Sequence, residues 1–491
     1  MASDESMHIV LFPFPAQGHF SAFLSLAGRL HHARPSAAVT LVSTPGNVAV
    51  LRASASASSL PFLRFHAFPF VPEEHGLPAG AESLDVLHVR HFLALFHATE
   101  SPSLHSKFDE FVSATIVTPD SALARAVVVI ADPFLAWTTG VARHHGARHA
   151  IFVSCGAFGS AVYHSLWNHL PHLRAPTGDD AYFRLPDHPE VTVHQSQLFV
   201  ALRVADGTDP WSAFHRRQIA HASETDALLV NTTEELEPVG LRMLRRTMGG
   251  APVLPIGPLV RVPTQDRSGG DGVVRWLDAK KEARSVLYVS FGSQNSLLPE
   301  QMMELAAALE LAGRPFVWAI RPPVGSDDDD VGRWLPEGFE ERVRGNDTGL
   351  LVHGWAPQLR ILAHAATGAF LSHCGWNSVL ESVTNGLPVV GWPLAGEQFF
   401  NAKMLAEEWG VCVEVARGND DAVGSSVVDP ARIAEAVETI MGDSAKATEM
   451  RRRAKDVQDL VLGAQRDGGS SMEAMEEFFT SMLRGISANS C

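Results

Sequence analysis

The chain carries 491 residues, 46% of them apolar, and its 39 Lys and Arg against 55 Asp and Glu leave a net charge of −16. At roughly 100–200 residues per domain, that length holds about two to four domains and buries large cores without disulfide or metal staples, so two similar α/β domains would fill it. The charge excludes a general nucleic-acid or anionic-membrane binder, whose partners select a basic face, while leaving room for an anionic ligand in one pocket.

The first residues, MASDESM, are acidic, and the apolar run after them, HIVLFPF, is broken by Pro13 and Pro15, which does not fit a secretory signal. No stretch reaches the roughly 18 apolar residues of a membrane-spanning helix. Cys155, Cys374, Cys412 and Cys491 are far apart with no CxxC pair, so neither a disulfide framework nor a zinc site is expected. A reducing, cytoplasmic setting follows, and the Asn-x-Thr sequons at Asn231 and Asn346 would go unused there.

An apolar run at 9–12, a Pro- and Gly-containing turn through Gly18, and a stretch with Phe23, Leu26, Ala27 and Leu30 on one face read as strand, loop and helix. Strands follow at 39–43 and 126–131, the second apolar throughout, as a parallel strand covered on both faces should be. The run at 227–231 repeats that pattern, and Thr232 with Glu235 offers a capping box for the next helix. A doubly wound α/β domain is expected over 1–255. The composition then shifts to PIGPLVRVPTQDRSGGDG, rich in Pro, Gly and polar residues without an apolar period, which marks a linker at 256–273.

Alternation resumes in 274–491. A strand at 286–290 precedes a helix with Pro299 at its first position and Met302, Leu305, Leu309 and Ala312 at helical spacing before Gly313. Further strands are expected at 316–320, 350–352, 369–372, 388–391 and 411–415, which makes a second Rossmann-like domain. The acidic run from Asp327 to Asp330 reads as a solvated loop, since a metal site would need convergent ligands from elsewhere.

The chemistry concentrates in WAPQLRILAHAATGAFLSHCGWNSVLESVTNGLPVVGWPLAGEQ, from Trp355 to Gln398. The strand at 369–372 runs through His373-Cys374-Gly375-Trp376-Asn377-Ser378 directly into a helix, so free backbone N–H groups and the positive end of a helix dipole face whatever binds there. An imidazole, an amide and a hydroxyl at such a terminus suit a diphosphate. Glu381, about one turn on, can accept from a sugar diol, and Trp355 at a neighbouring strand end offers a flat face for a base. The ligand implied is a nucleotide bearing a diphosphate.

This segment closely resembles the donor-binding signature of plant UDP-sugar-dependent glycosyltransferases of small molecules, and the likeness extends to the opening strand and the PIGPL start of the linker. The resemblance implies the GT-B fold, two Rossmann-like domains facing across a cleft. In it the N-terminal domain holds the acceptor, the C-terminal one holds the UDP-sugar, and a last helix near 472–483 crosses back onto the first domain. Carried over by residue, it puts uracil on Trp355 with backbone contacts from Ala356, the ribose on Gln358 and Glu381, and the phosphates on His373, Asn377, Ser378 and Ser293. Trp376, Glu397 and Gln398 would hold the sugar hydroxyls, with Gln398 the usual companion of glucose; many relatives carry Asp where this chain has Glu397.

His19, in FPAQGHF, matches the family's general base, and Asp132, in VVIADPF, its orienting carboxylate. An imidazole titrating near neutrality can remove a hydroxyl proton while a carboxylate on its other nitrogen fixes the tautomer. Two departures flank the pair: Ala22 stands where a Pro is common, and Pro133 follows Asp132. The activity implied is inverting transfer of glucose from UDP-glucose to a hydroxyl of a small, largely apolar metabolite, by a monomer needing no cofactor or metal. Phe20, Phe134 and Phe199 are expected as apolar walls of the acceptor pocket.

Plainer readings exist for each residue. His19 alone would default to a structural histidine among 23 His, but the QGH turn, the Asp132 context and the donor signature together favour catalysis. Cys155 and Cys374 read as small buried fillers, and Glu397 and Gln398 as helix caps as well as sugar ligands. A silent UDP-sugar sensor would lack the base, and a nicotinamide-dependent oxidoreductase would show GxGxxG after the first strand of either half.

Overall fold

The computed structural model describes residues 7–57, 60–116, 126–176, 181–260, 270–294, 296–323, 334–418 and 427–483. Its strands in chain order are β1 (Met7–Phe12), β2 (Ala38–Ser43), β3 (Arg64–Ala67), β4 (Ala126–Ala131), β5 (Arg148–Val153), β6 (Tyr182–Arg184), β7 (Thr192–His194), β8 (Ala227–Val230), β9 (Val253–Pro255), β10 (Val286–Ser290), β11 (Phe316–Ile320), β12 (Gly349–His353), β13 (Thr367–Ser372), β14 (Val389–Gly391) and β15 (Cys412–Glu414). One sheet runs β3-β2-β1-β4-β5-β8-β9 and the other β12-β11-β10-β13-β14-β15, both parallel throughout, while β6 and β7 pair as a separate antiparallel hairpin. The continuous apolar runs form the middle strands: β4, β10 and β13 are buried at every position, as strands covered by helices on both faces must be.

Strand order reverses beside the first strand of each sheet, between β1 and β4 and between β10 and β13. A crevice opens outside the carboxyl ends of the strands at such a switch point. His19 follows β1, Asp132 follows β4, Ser293 follows β10 and His373 follows β13, so both switch points supply the residues singled out above.

Among the described residues, three of the six apolar cores tie the helices to the two sheets and the two halves to each other. Phe23, Leu26 and Leu30 of the helix Gln17–Ala33 pack with Ile9, Leu11 and Val128 of the first sheet and with Met475, Phe478 and Phe479 of the helix Ser470–Leu483. That last helix therefore lies on the first sheet, held also by Arg34, which forks onto Glu476 at 3.0 and 2.8 Å and covers the Phe479 ring at 4.7 Å. A second core fills the face of the other sheet beneath the helices Pro299–Ala312 and Pro430–Met441. The third is continuous across both halves, joining Phe158, Val162 and Leu166 to Trp376, Phe399, Phe400 and Leu405.

Several expectations need correction. Thr232 and Glu235 cap nothing: the next helix, Pro238–Met248, begins later, and the buried Glu237 before it instead accepts the N–H groups of Ala157 and Phe158, both at 2.9 Å, at the start of the helix Ala157–His169. The linker expected at 256–273 is entered by the helix Gly270–Asp278, and Ile256 and Leu259 are core residues; 261–269 lie outside the described residues, as does the acidic run from Asp327 to Asp330. Asn231, the first sequon, is fully buried: its Oδ1 accepts the Leu259 N–H at 2.7 Å, and its carbonyl accepts the Trp376 indole N–H at 2.8 Å. Among the described residues no helix is long and apolar enough to cross a membrane.

Candidate active site

His19 sits in the first turn of its helix and is partly exposed, whereas Asp132 is fully buried. Their contact, His19 Nδ1 to Asp132 Oδ2, is 2.6 Å, and the other carboxylate oxygen accepts the Phe134 N–H at 3.1 Å. The carboxylate is thus pinned at both oxygens, which places the proton on Nδ1 and leaves Nε2 as the basic nitrogen. Burial alone would lower the pKa of His19, but the charge and hydrogen bond of Asp132, followed by the charges of Glu397 and Asp85, outweigh it and raise the pKa above the ordinary histidine value.

Aromatic rings surround this base. Phe14 and Phe134 stand 5.5 and 5.9 Å from the His19 ring, and Phe134 continues through Tyr163 to Phe199, with Tyr163 stacked parallel to Phe199 at 6.3 Å. Phe134 and Phe199 thus belong to one aromatic surface near the base. Phe20 does not: it is 3% exposed and faces the first core with Phe23 and Leu24, because residues three apart on a helix share a face. Tyr163 is the wall residue that the sequence reading missed. Its hydroxyl lies 2.6 Å from Nδ1 of His215, whose pKa burial lowers to about 3, so the ring is neutral at pH 7.

Across the cleft the donor signature is assembled before any ligand contact is considered. Trp355 is 72% exposed, a bare indole face beside the buried Ala356. Gln358 Nε2 donates to Glu381 at 2.7 Å and to Ser378 at 3.2 Å, while its Oε1 accepts from the Tyr288 hydroxyl at 3.1 Å. His373 is buried and, among the described residues, its Nδ1 has no partner; burial, with help from the Arg321 charge, lowers its pKa to about 4. It can meet an anion as a neutral hydrogen-bond donor only. The ring seats between Gly292 and Gly375, where an added Cβ would stand 2.6 and 2.5 Å from Nε2.

Asn377, in the first turn of the helix Trp376–Thr384, donates its amide N–H to the Gly18 carbonyl at 2.9 Å, one residue from the base. Trp376 departs from expectation: its side chain is buried in the shared core and its indole N–H is committed to Asn231, so only its backbone can face a sugar. Glu397 is the N-cap residue of the helix Gln398–Glu407, but its carboxylate does not cap that helix; it accepts its own N–H and that of Trp376 at the start of the helix Trp376–Thr384, and burial raises its pKa against these bonds and the His19 charge. Gln398 Oε1 accepts the N–H groups of Leu394 and Ala395, both at 2.9 Å. Its acceptor is spent on the turn, and only its NH2 group remains to donate.

Cys155, Cys374 and Cys412 are free thiols. Burial, then the Glu397 charge, raises the Cys155 thiol, and a hydrogen bond with the Cys412 thiol, then burial, raises Cys374, so both stay protonated, as fillers rather than nucleophiles. Two charged groups escaped the sequence reading. Asp85 Oδ2 accepts the Gln17 N–H at 2.7 Å and its Oδ1 accepts the Ser293 hydroxyl at 3.4 Å, and the Arg321 guanidinium donates to the carbonyls of Gly292 and Ser293. For Arg321 a signal existed, a charge directly after an apolar strand beside the switch point; for Asp85, which meets Ser293 over 208 residues, none did.

Residues 274–450 match the family model for UDP-glucoronosyl and UDP-glucosyl transferase. Over 491 residues the chain is 39% identical to UDP-glycosyltransferase 92A1 of Arabidopsis thaliana, covering 97% of each. Among solved structures, UGT73P12 of Glycyrrhiza uralensis complexed with glycyrrhetinic acid 3-O-monoglucuronide superposes with a TM-score of 0.83 at 29% identity, covering 98% of this chain and 96% of that one. UGT71G1 of Medicago truncatula complexed with UDP-glucose gives 0.77 at 25% identity, covering 98% and 99%.

Proposed function

The chain belongs to the family of plant UDP-sugar-dependent glycosyltransferases, and on that premise we propose that it moves glucose from UDP-glucose to a hydroxyl of a small, largely apolar acceptor with inversion. One observation carries the reading: the His19–Asp132 pair at 2.6 Å opens toward the helix terminus whose Asn377 reaches Gly18 at 2.9 Å, so base and diphosphate site share one short span of the cleft. His19 Nε2 takes the acceptor's hydroxyl proton, and the resulting oxygen attacks the anomeric carbon opposite the diphosphate. The bond from that carbon to the phosphate oxygen breaks, UDP leaves with the electron pair, and an α-linked donor becomes a β-glycoside. Asp132 stabilises the imidazolium meanwhile.

In this reading Trp355 and Ala356 take uracil, Gln358 and Glu381 the ribose, and Ser293, His373, Asn377 and Ser378 the phosphates. Glu397 and the Gln398 NH2 group take the sugar, together with the Trp376 backbone. The first domain, 1–255, holds the acceptor against Phe134, Tyr163 and Phe199, and 274–491 holds the donor. The reading needs no metal and no cofactor, and it has the protein acting as a cytoplasmic monomer. Glucose is supported by Gln398 and by the UDP-glucose of the Medicago relative; an apolar acceptor is supported by the aromatic surface beside His19. The test is UDP release with phenolic acceptors. His19→Ala should lower the rate constant for transfer by at least about a hundredfold with UDP affinity unchanged, and turnover at the wild-type rate in a folded variant would sink the assignment.

A further inference from the structure

The diphosphate assignment leaves the charge unaccounted for. His373 is neutral at pH 7, and Ser293, Asn377 and Ser378 are uncharged, so no group assigned to the phosphates is a cation. Arg321, just past β11, is one: burial lowers its pKa and the Asp85 charge raises it, but a guanidinium stays protonated at physiological pH. It donates to the carbonyls of Gly292 and Ser293. A trans peptide unit holds its N–H opposite its C=O, so these bonds turn the N–H groups of Ser293 and Gln294 away from the guanidinium. Among the described residues nothing accepts either N–H.

Successive free N–H groups of this kind form an anion-binding concavity. It adjoins His373, since Gly292, at φ 75°, leaves space that a Cβ would close to 2.6 Å from Nε2. A carboxylate already stands at this turn: Asp85 binds the Ser293 hydroxyl and the Gln17 N–H together, linking the donor turn to the helix that carries His19.

We propose that Arg321 is the positive charge of the diphosphate site, a positioning residue that presents the Ser293 and Gln294 N–H groups to a phosphate oxygen, and that Asp85 is the internal anion the nucleotide displaces from Ser293. The inference rests on the UDP-sugar reading. It makes the affinity gained from the phosphates depend on a residue that touches no substrate, and it gives the first domain a carboxylate that opposes donor entry.

Titrations of the full chain with UDP and with uridine test it. Arg321→Gln should weaken UDP at least about tenfold, as loss of a charge-assisted contact requires, while uridine changes less than about twofold. Arg321→Lys keeps the charge without the fork and should recover part of that loss. Asp85→Asn keeps the shape, removes the repulsion and should tighten UDP about two- to fivefold with uridine unchanged. Equal losses for UDP and uridine in either Arg321 variant, wild-type UDP affinity in Arg321→Gln, or weaker UDP binding in Asp85→Asn would overturn the proposal. Should Arg321→Gln fail to fold, the other two variants decide. A wild-type chain that binds neither UDP nor UDP-glucose would overturn the transferase reading, and this inference with it, before any variant is made.

Discussion

Replacing Asp132 by Asn probes the base without emptying its site. The oxygen of the new amide must stay on the Phe134 N–H, which sits 3.1 Å from Oδ1, so its NH2 group faces Nδ1 of His19 at the position now 2.6 Å away. A donor there forces the ring proton to Nε2, the nitrogen that should receive the acceptor's proton. The full contribution of a general base is then at stake, about 100- to 10,000-fold, or about 2.7–5.4 kcal/mol. Asp132→Ala should be milder, because nothing locks the wrong tautomer. The pH profile separates this from a folding defect. In the wild type the raised pKa of His19 puts the acid limb of kcat/KM above the ordinary histidine value, and activity falls as pH drops through it. Without the carboxylate, burial is the largest remaining influence, so the limb should move to lower pH even as the plateau falls. A variant within threefold of wild type, or one whose limb moves up, would refute the reasoning.

Trp355→Ala should weaken UDP and uridine alike by roughly 1–3 kcal/mol, the usual worth of a base stacked on an aromatic face; calorimetry showing no loss for either would remove the platform. Gln398→His should narrow the preference for UDP-glucose over UDP-galactose, since a site that donates to one hydroxyl discriminates by leaving its donor unpaired when that hydroxyl moves; competition of both donors for one acceptor checks it, and a wild-type preference for galactose would refute the role. His149 and His215 are buried and held down to about 3, by burial first, so they stay neutral in the native chain while the unfolded chain takes up protons near 6.5. Stability therefore rises with pH and is lost below about 6.5 by up to about 1.4 kcal/mol per pH unit for each ring; equal urea midpoints at pH 7 and pH 5 would contradict this.

Local chemistry accounts for what the sequence made legible. β4, β10 and β11 lie where continuous apolar runs predict them, and Pro299 and Gly313 bound their helix as first residue and left-handed cap. What escaped was decided by distant partners. β5 begins Arg148-His149, a polar start, yet His149 is buried because Thr138, Thr139 and Thr225 surround its ring nitrogens at 2.9–3.1 Å. β3, Arg-Phe-His-Ala, is an edge strand with little to bury, and β9 ends in Pro255, where the composition already reads as linker. Thr232 and Glu235 carry the pattern of a capping box, but the chain spends Glu237 on another helix's terminus instead. Within the site, the type of each donor-signature residue was legible, whereas which of its atoms remain available was not: Trp376 and Gln398 each commit a polar atom to a partner that only the folded chain supplies.

The burial of Asn231 bears on what can be attached to it. Its side-chain oxygen and its carbonyl together tie the end of β8 to Leu259 and to the helix that opens the donor site, and none of it is exposed. Oligosaccharides are attached to Asn-x-Thr on the surface of a chain in the secretory route, at the amide nitrogen of this same side chain. A sugar tree installed at Asn231 before folding would have nowhere to go in the finished molecule, and the two halves could not close onto one another. A glycan at Asn231 and the closed domain junction therefore exclude one another, and the junction exists only in chains whose first sequon is unmodified.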